Sequence, residues 1–130
     1  MPRITLGDVY LIPTPPNGSH YYVAIAVINS NCYLFINYST VQDSTPDEDT
    51  EYILRPSRNL PRFLCVDSYF VFSDAEEFSS SSLDRLISQR VCKHQGAFPL
   101  SVVKEIQLAG VSSGSIRSEY RDLLKTCLGL

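Results

Sequence analysis

His20, Ser39 and Thr40 are the residues of this 130-residue chain whose types suit proton transfer and phosphate contact. Cleaving a phosphodiester without a metal needs a base near the ribose 2′-oxygen, an acid near the leaving oxygen, and positive charge where phosphate charge develops. His20 follows a loop of Pro, Asn, Gly and Ser, and an imidazole serves either proton role near neutrality. Ser39 or Thr40, at the end of an apolar run, would hydrogen-bond a phosphate oxygen or orient the reacting hydroxyl. Arg55, Arg58 and Arg62, with Tyr52 and Phe63 close by, form the best nucleic-acid-facing cluster, because guanidinium forks match phosphate and aromatic rings stack on bases. Tyr21, beside His20, is the candidate for base stacking. Each also has a plain structural reading: an exposed loop histidine, turn chemistry at a strand end, and charge balance against the acidic segment before the arginines.

The length suits one domain with its own core. A hydrophobic fraction of 44% and a charged fraction of 19% are those of a globular chain rather than a disordered one. A net charge of -3 gives no global pull toward nucleic acid or anionic lipid, so any such contact must come from a local patch. Cys32, Cys65, Cys92 and Cys127 have neither metal-ligand nor disulfide-scaffold spacing and read as reduced, mostly buried thiols. His94 reads as part of a turn between helices, with no carboxylate or cysteine at ligand spacing. The start Met1-Pro2-Arg3 lacks a signal-peptide core and no later run approaches spanning length, so a soluble cytoplasmic protein is expected. No phosphate-loop, dinucleotide, nucleophile-elbow or zincin motif occurs, and no cofactor or metal is called for.

These side chains must be held by the elements around them. Up to residue 73 the punctuation is that of a β protein: Val9–Ile12, Tyr22–Ile28, Tyr33–Tyr38, Tyr52–Leu54 and Phe63–Phe72 read as strands between turn residues. Tyr22–Ile28 is apolar on both faces, which predicts a central strand covered on each side. Asn29-Ser30-Asn31 has hairpin chemistry, since Asn tolerates positive φ. Thr14–Ser19 reads as a loop, and the acidic stretch 42–50 as a mobile excursion. After Ser73 the period becomes helical. Ser82 suits an N-cap for Leu83, Leu86, Ile87 and Arg90, and Gln95-Gly96-Ala97 breaks the pattern. Pro99 suits the first turn of a helix that Gly110 ends, and a last helix from about Ser115 carries the stripe Ile116, Tyr120, Leu123, Leu124 and Cys127. The expected fold is mainly β with α: a five- to six-stranded antiparallel barrel over 1–73, then two or three helices over 74–130.

Four segments taken in order carry a family resemblance. Gly7-Asp8-Val9-Tyr10-Leu11-Ile12 resembles the "G-D-[IV]-[VWY]" strand that opens the PemK/MazF toxins, bacterial growth inhibitors with a Src-homology-type small barrel. Tyr22–Ile28 is similar to that family's apolar second strand, and Ile36-Asn37-Tyr38-Ser39-Thr40 to its "P-[IV]-[ST]" strand end. Leu64-Cys65-Val66-Asp67-Ser68-Tyr69-Phe70 resembles its "D-S-[VY]" strand. The resemblance implies a toxin-like, RNA-binding protein, a metal-independent endoribonuclease, a homodimer and an antitoxin partner. One departure stands out. Where RNA-cutting members carry an arginine in an "R-x-x-[RK]-P" context, this chain has Ser19-His20-Tyr21-Tyr22. His20 would then take the proton-transfer role, with Ser39 or Thr40 on the phosphate and the arginines on the backbone. The other reading is a non-catalytic interaction module that keeps the barrel, has lost the active arginine, and binds an antitoxin-like peptide or another protein.

Overall fold

The computed structural model describes residues 4–13, 18–47 and 51–130. Among them, seven strands form one antiparallel sheet: β1 (Asp8–Pro13), β2 (Ser19–Asn29), β3 (Cys32–Thr40), β4 (Ile53–Leu54), β5 (Ser68–Phe70), β6 (Glu76–Ser79) and β7 (Lys93–Ala97). Three helices accompany them: α1 (Ser80–Ser88), α2 (Leu100–Ser112) and α3 (Ser118–Leu128). The strand order is β4-β5-β3-β2-β1-β7, with β6 also beside β3.

β2 is the central strand, as its two apolar faces predict. Val23, Ile25 and Ala26 pack with Val102 and Ile106 of α2 and Tyr120 and Leu124 of α3. Tyr22 and Ala24 belong to a second core with Tyr10, Phe35 and Leu83, the last from α1. The expected closed barrel does not form; the sheet is open. In the open sheet, α1 covers one face of β2 and α2 with α3 cover the other. β4 and β7 end the strand order, and no ladder joins them.

The first three strands follow the sequence pattern closely. Asn29 pairs with Cys32 across a tight turn, yet neither Ser30 nor Asn31 takes a positive φ. Instead the Asn29 side chain accepts the Asn31 N–H at 2.9 Å, an alternative that a short amide makes available. Ile25 is an extra residue between the pairs Ala24↔Phe35 and Ala26↔Leu34. A bulge leaves backbone groups out of the ladder. Here the buried Gln107 of α2 donates its Nε2–H to the Ile25 carbonyl at 2.6 Å.

Later elements depart further from expectation. Only Ser68–Phe70 of the expected Phe63–Phe72 strand is a strand, because Leu64 N–H turns back to the Pro61 carbonyl and a 3-10 turn follows at Phe72–Asp74. Between β5 and β6, five residues (Val71 to Ala75) face two of β3 (Ile36 and Asn37). Ser79, not Ser82, caps α1, its hydroxyl accepting the Ser82 N–H at 3.1 Å, and the helix ends before Arg90. Gln95-Gly96-Ala97, expected as a break, lies in β7 against β1, so the change at residue 73 does not separate sheet from helices. α2 begins after Pro99 but runs through Gly110 to Ser112. The glycine is there for packing, since a Cβ would stand 2.6 Å from Leu124 Cδ1. α3 starts at Ser118, with Ile116, Tyr120 and Leu124 buried and Cys127 exposed.

Of the four cysteines, all free, only Cys92 is buried; Cys32 is half-buried and Cys65 and Cys127 are exposed, which corrects the expectation of mostly buried thiols. The loop expected at Thr14–Ser19 and the excursion at 42–50 fall partly on 14–17 and 48–50, outside the described residues. Ser19 itself begins β2, and Gln42 and Thr45 make a turn closed by Thr45 N–H to the Gln42 carbonyl at 3.0 Å.

Two measurements test this packing. Gln107→Leu would leave the Ile25 carbonyl buried without a donor and should lower unfolding stability by about 1–3 kcal/mol, read from urea denaturation by circular dichroism. Burial, with smaller contributions from nearby acidic groups, pushes the phenols of Tyr10 and Tyr22 from 10.0 up to about 12. A raised pKa favours the fold in full below the ordinary value and loses that contribution as pH climbs through the raised one. The tyrosine contribution should therefore be flat below about pH 10 and decline from there toward about pH 12, so the urea midpoint should fall across that window.

Candidate functional site

The ladder between β2 and β3 stops at Tyr21↔Tyr38. Beyond that pair, β2 continues along β1 to Pro13↔Ser19, while β3 continues along β5 to Thr40↔Ser68. The sheet forks. A groove of about 540 Å³ is lined from both prongs, by Ser19, His20 and Tyr21 of β2 and by Tyr38, Ser39 and Thr40 of β3. Gln42, Ser44, Thr45 and Pro46 line it from the turn after β3, and Phe63, Cys65, Val66, Ser68 and Tyr69 from the segment leading into β5.

The fork explains why residues twenty positions apart in sequence share one site. His20 pairs with Ile12 and Ser39 with Tyr69, so each is held by the neighbour on its own prong. His20 and Ser39 are half-buried and Thr40 is exposed. Tyr21 stacks on Tyr38 with ring centroids 5.4 Å apart and planes within 7°, and on Phe63 at 5.9 Å and 18°. Its ring is built into the groove wall, so a planar ligand would meet a preformed aromatic panel rather than a lone side chain. A Cβ on Gly96 would come within 3.0 Å of Phe63 Cε1, so β7 backs that panel closely.

The chemistry of the lining is neutral and rich in hydroxyls. Ser19, Ser39, Thr40, Ser44, Thr45 and Ser68 line it, and His20 is its one imidazole among the described residues. Tyr38 is buried, and its hydroxyl has no hydrogen-bond partner among them. Burial, with Tyr21 and Cys65 nearby, holds this phenol well above its ordinary range. Neutral donors and acceptors of this kind suit ribose hydroxyls and phosphate oxygens.

Arg55, Arg58 and Arg62 are exposed, and none lines the groove. They lie on the segment that supplies Phe63, Cys65 and Val66 to its wall. Arg55 Nε stands 3.7 Å from Asp67 Oδ2, an exposed pair of little energetic weight. Tyr52 lines a different cavity. His94 is on β7 rather than in a turn between helices, with Nε2 at 3.3 Å from Asp8 Oδ1 and its ring edge-on to Tyr10. Among the described residues, no group of three or more His, Cys, Asp or Glu could hold a metal ion, and no helix is long and apolar enough to cross a membrane.

Sequence reasoning did not assign Ser68, Tyr69 or Cys65 to the site, and it named Phe63 only as an aromatic beside the arginines. The signal for two of them was present: the "D-S-Y" segment pairs with Ser39-Thr40, which places Ser68 and Tyr69 opposite the candidate hydroxyls. No family model, curated protein or solved structure matches this chain.

Removing the orphan hydroxyl tests the wall. Tyr38→Phe should leave stability unchanged or raise it by up to about 1 kcal/mol, because a buried hydroxyl without a partner costs the fold its desolvation. A drop in the urea midpoint would reveal a bond to that oxygen.

Proposed function

We propose that the forked groove binds single-stranded RNA and that the chain acts as a toxin-like RNA-binding protein. The observation that carries this reading is the meeting of His20, Tyr21, Ser39 and Thr40, named from sequence as proton carrier, base platform and phosphate contacts, in one groove. Its volume of about 540 Å³ suits a nucleotide or two rather than folded RNA. Ribose and phosphate would lie against the hydroxyls and a base against the Tyr21–Phe63 panel. Arg58 and Arg62, outside the groove, would meet the backbone as it leaves. In cleavage His20 would take the proton of the 2′-hydroxyl as that oxygen attacks phosphorus, the bond from phosphorus to the 5′-oxygen would break, and the departing oxygen would take a proton from water, while Ser39 and Thr40 hold the phosphate. The resemblance of four segments, in order, to strands of the PemK/MazF toxins supports the same reading.

A second reading rests on a separate observation: the described lining holds no arginine, lysine or carboxylate to neutralise a phosphate or serve as a second proton carrier. On that reading the groove holds a protein segment, such as an antitoxin-like peptide, and no cleavage occurs.

Fluorescence anisotropy with a labelled oligoribonucleotide of about ten nucleotides, with the same mixture run on a denaturing gel, separates the two. RNA binding should weaken about tenfold or more in Tyr21→Ala, and Arg62→Ala should reduce the salt slope by about 1. His20→Ala should retain binding and abolish any cleavage. Absence of binding at low salt would sink the RNA reading and leave the protein-segment reading standing.

A further inference from the structure

α2 carries apolar residues on two sides. Val102, Ile106 and Gly110 face the core, where Gly110 lets Leu124 and Phe72 approach closely. Glu105, Leu108, Ala109 and Ser112, spaced i, i+3, i+4 and i+7, form a second stripe along the helix. That stripe and Glu51, Tyr52 and Phe72 line a separate groove of about 340 Å³. Leu108 lies on its wall with 45% of its surface exposed.

The groove has a definite charge. Its apolar surface comes from Leu108, Ala109, Phe72 and the Tyr52 ring, while Glu51 and Glu105 are its ionisable carboxylates. No lysine, arginine or histidine is among its described lining residues. The Tyr52 hydroxyl donates to Glu105 Oε1 at 3.1 Å, which fixes that carboxylate beside the apolar surface. A carboxylate holding one donor retains acceptor sites for others.

From these features we infer that the groove docks a basic amphipathic helix of a partner protein. Apolar side chains at i and i+3 or i+4 of the partner rest on Leu108, Ala109 and Phe72, and flanking lysines or arginines reach Glu51 and Glu105. Charge selects this occupant. An anionic lipid or a nucleic acid would meet two carboxylates, and a second copy laid on by a two-fold axis would gather the carboxylates of both copies in one seam with no lysine, arginine or histidine from the described lining to oppose them. The site is distinct from the forked groove and stands whether or not RNA binds there.

The test uses the full chain and a labelled helical peptide of about 15 residues made of leucine and lysine in amphipathic order. One control has the same composition scrambled so that the two types no longer segregate, and another has glutamate in place of lysine. The amphipathic basic peptide should bind about tenfold or more tighter than either control. Leu108→Asp should weaken binding about tenfold, Leu108→Ala severalfold, and Glu105→Gln should reduce both affinity and salt dependence. Leu108 is partly exposed, so both variants should keep the wild-type circular dichroism spectrum; should Leu108→Asp unfold, Leu108→Ala carries the comparison. Equal binding of the scrambled peptide would overturn the proposal, as would an unchanged Kd in the folded Leu108 variants. So would sedimentation showing that wild type self-associates and that a folded Leu108 variant does not.

Discussion

Burial of β2 on both faces is the constraint from which the rest of this fold follows. A strand covered on each side has no water to satisfy its backbone, so each of its polar groups needs a partner from a neighbouring strand or a side chain. β1 and β3 supply most of them. The β2–β3 ladder is disturbed at Ile25, where Gln107 reaches in from α2, and it ends at Tyr21, where the two strands part. One disturbance ties the helical layer to the sheet and the other opens a groove to solvent.

Much of the fold was legible because its early strands are local and strongly patterned. β1, β2 and β3 lie where alternation and turn residues put them, and the double-faced apolar run correctly marked β2 as central. Barrel closure was not legible, since the same strand pattern suits a closed barrel and an open sheet covered by helices. What decides between them is whether the end strands pair, and β4 and β7 do not, a long-range fact. β7 was missed because Lys93-His94-Gln95-Gly96-Ala97 has no apolar alternation; it is a strand because β1 offers it an edge. Gly110 misled in the other direction, reading as a stop when its role is close helix contact.

The groove was half legible. His20, Ser39 and Thr40 were chosen by chemical type, and their convergence depends on β2 and β3 being adjacent and then diverging, which follows from the hairpin between them. The arginines were chosen by their charge and the aromatics beside them, and neither fixes direction: they stay outside the groove while their neighbours Phe63 and Cys65 line it. Tyr21 was named as a candidate for base stacking and is one panel of a stacked set.

The stretch from Val71 to Ala75, where five residues oppose two, bears on how the molecule behaves in crowded solution. It divides what would have been one long outer strand beside β3 into β5, of three residues, and β6, of four. β5 is partly screened by the two residues of β4, and the opposite margin of the sheet is the five-residue β7 bearing Lys93. Short, interrupted and charged margins are poor templates for strand addition between molecules. A protein with this much β structure thereby avoids a continuous seam along which copies could aggregate.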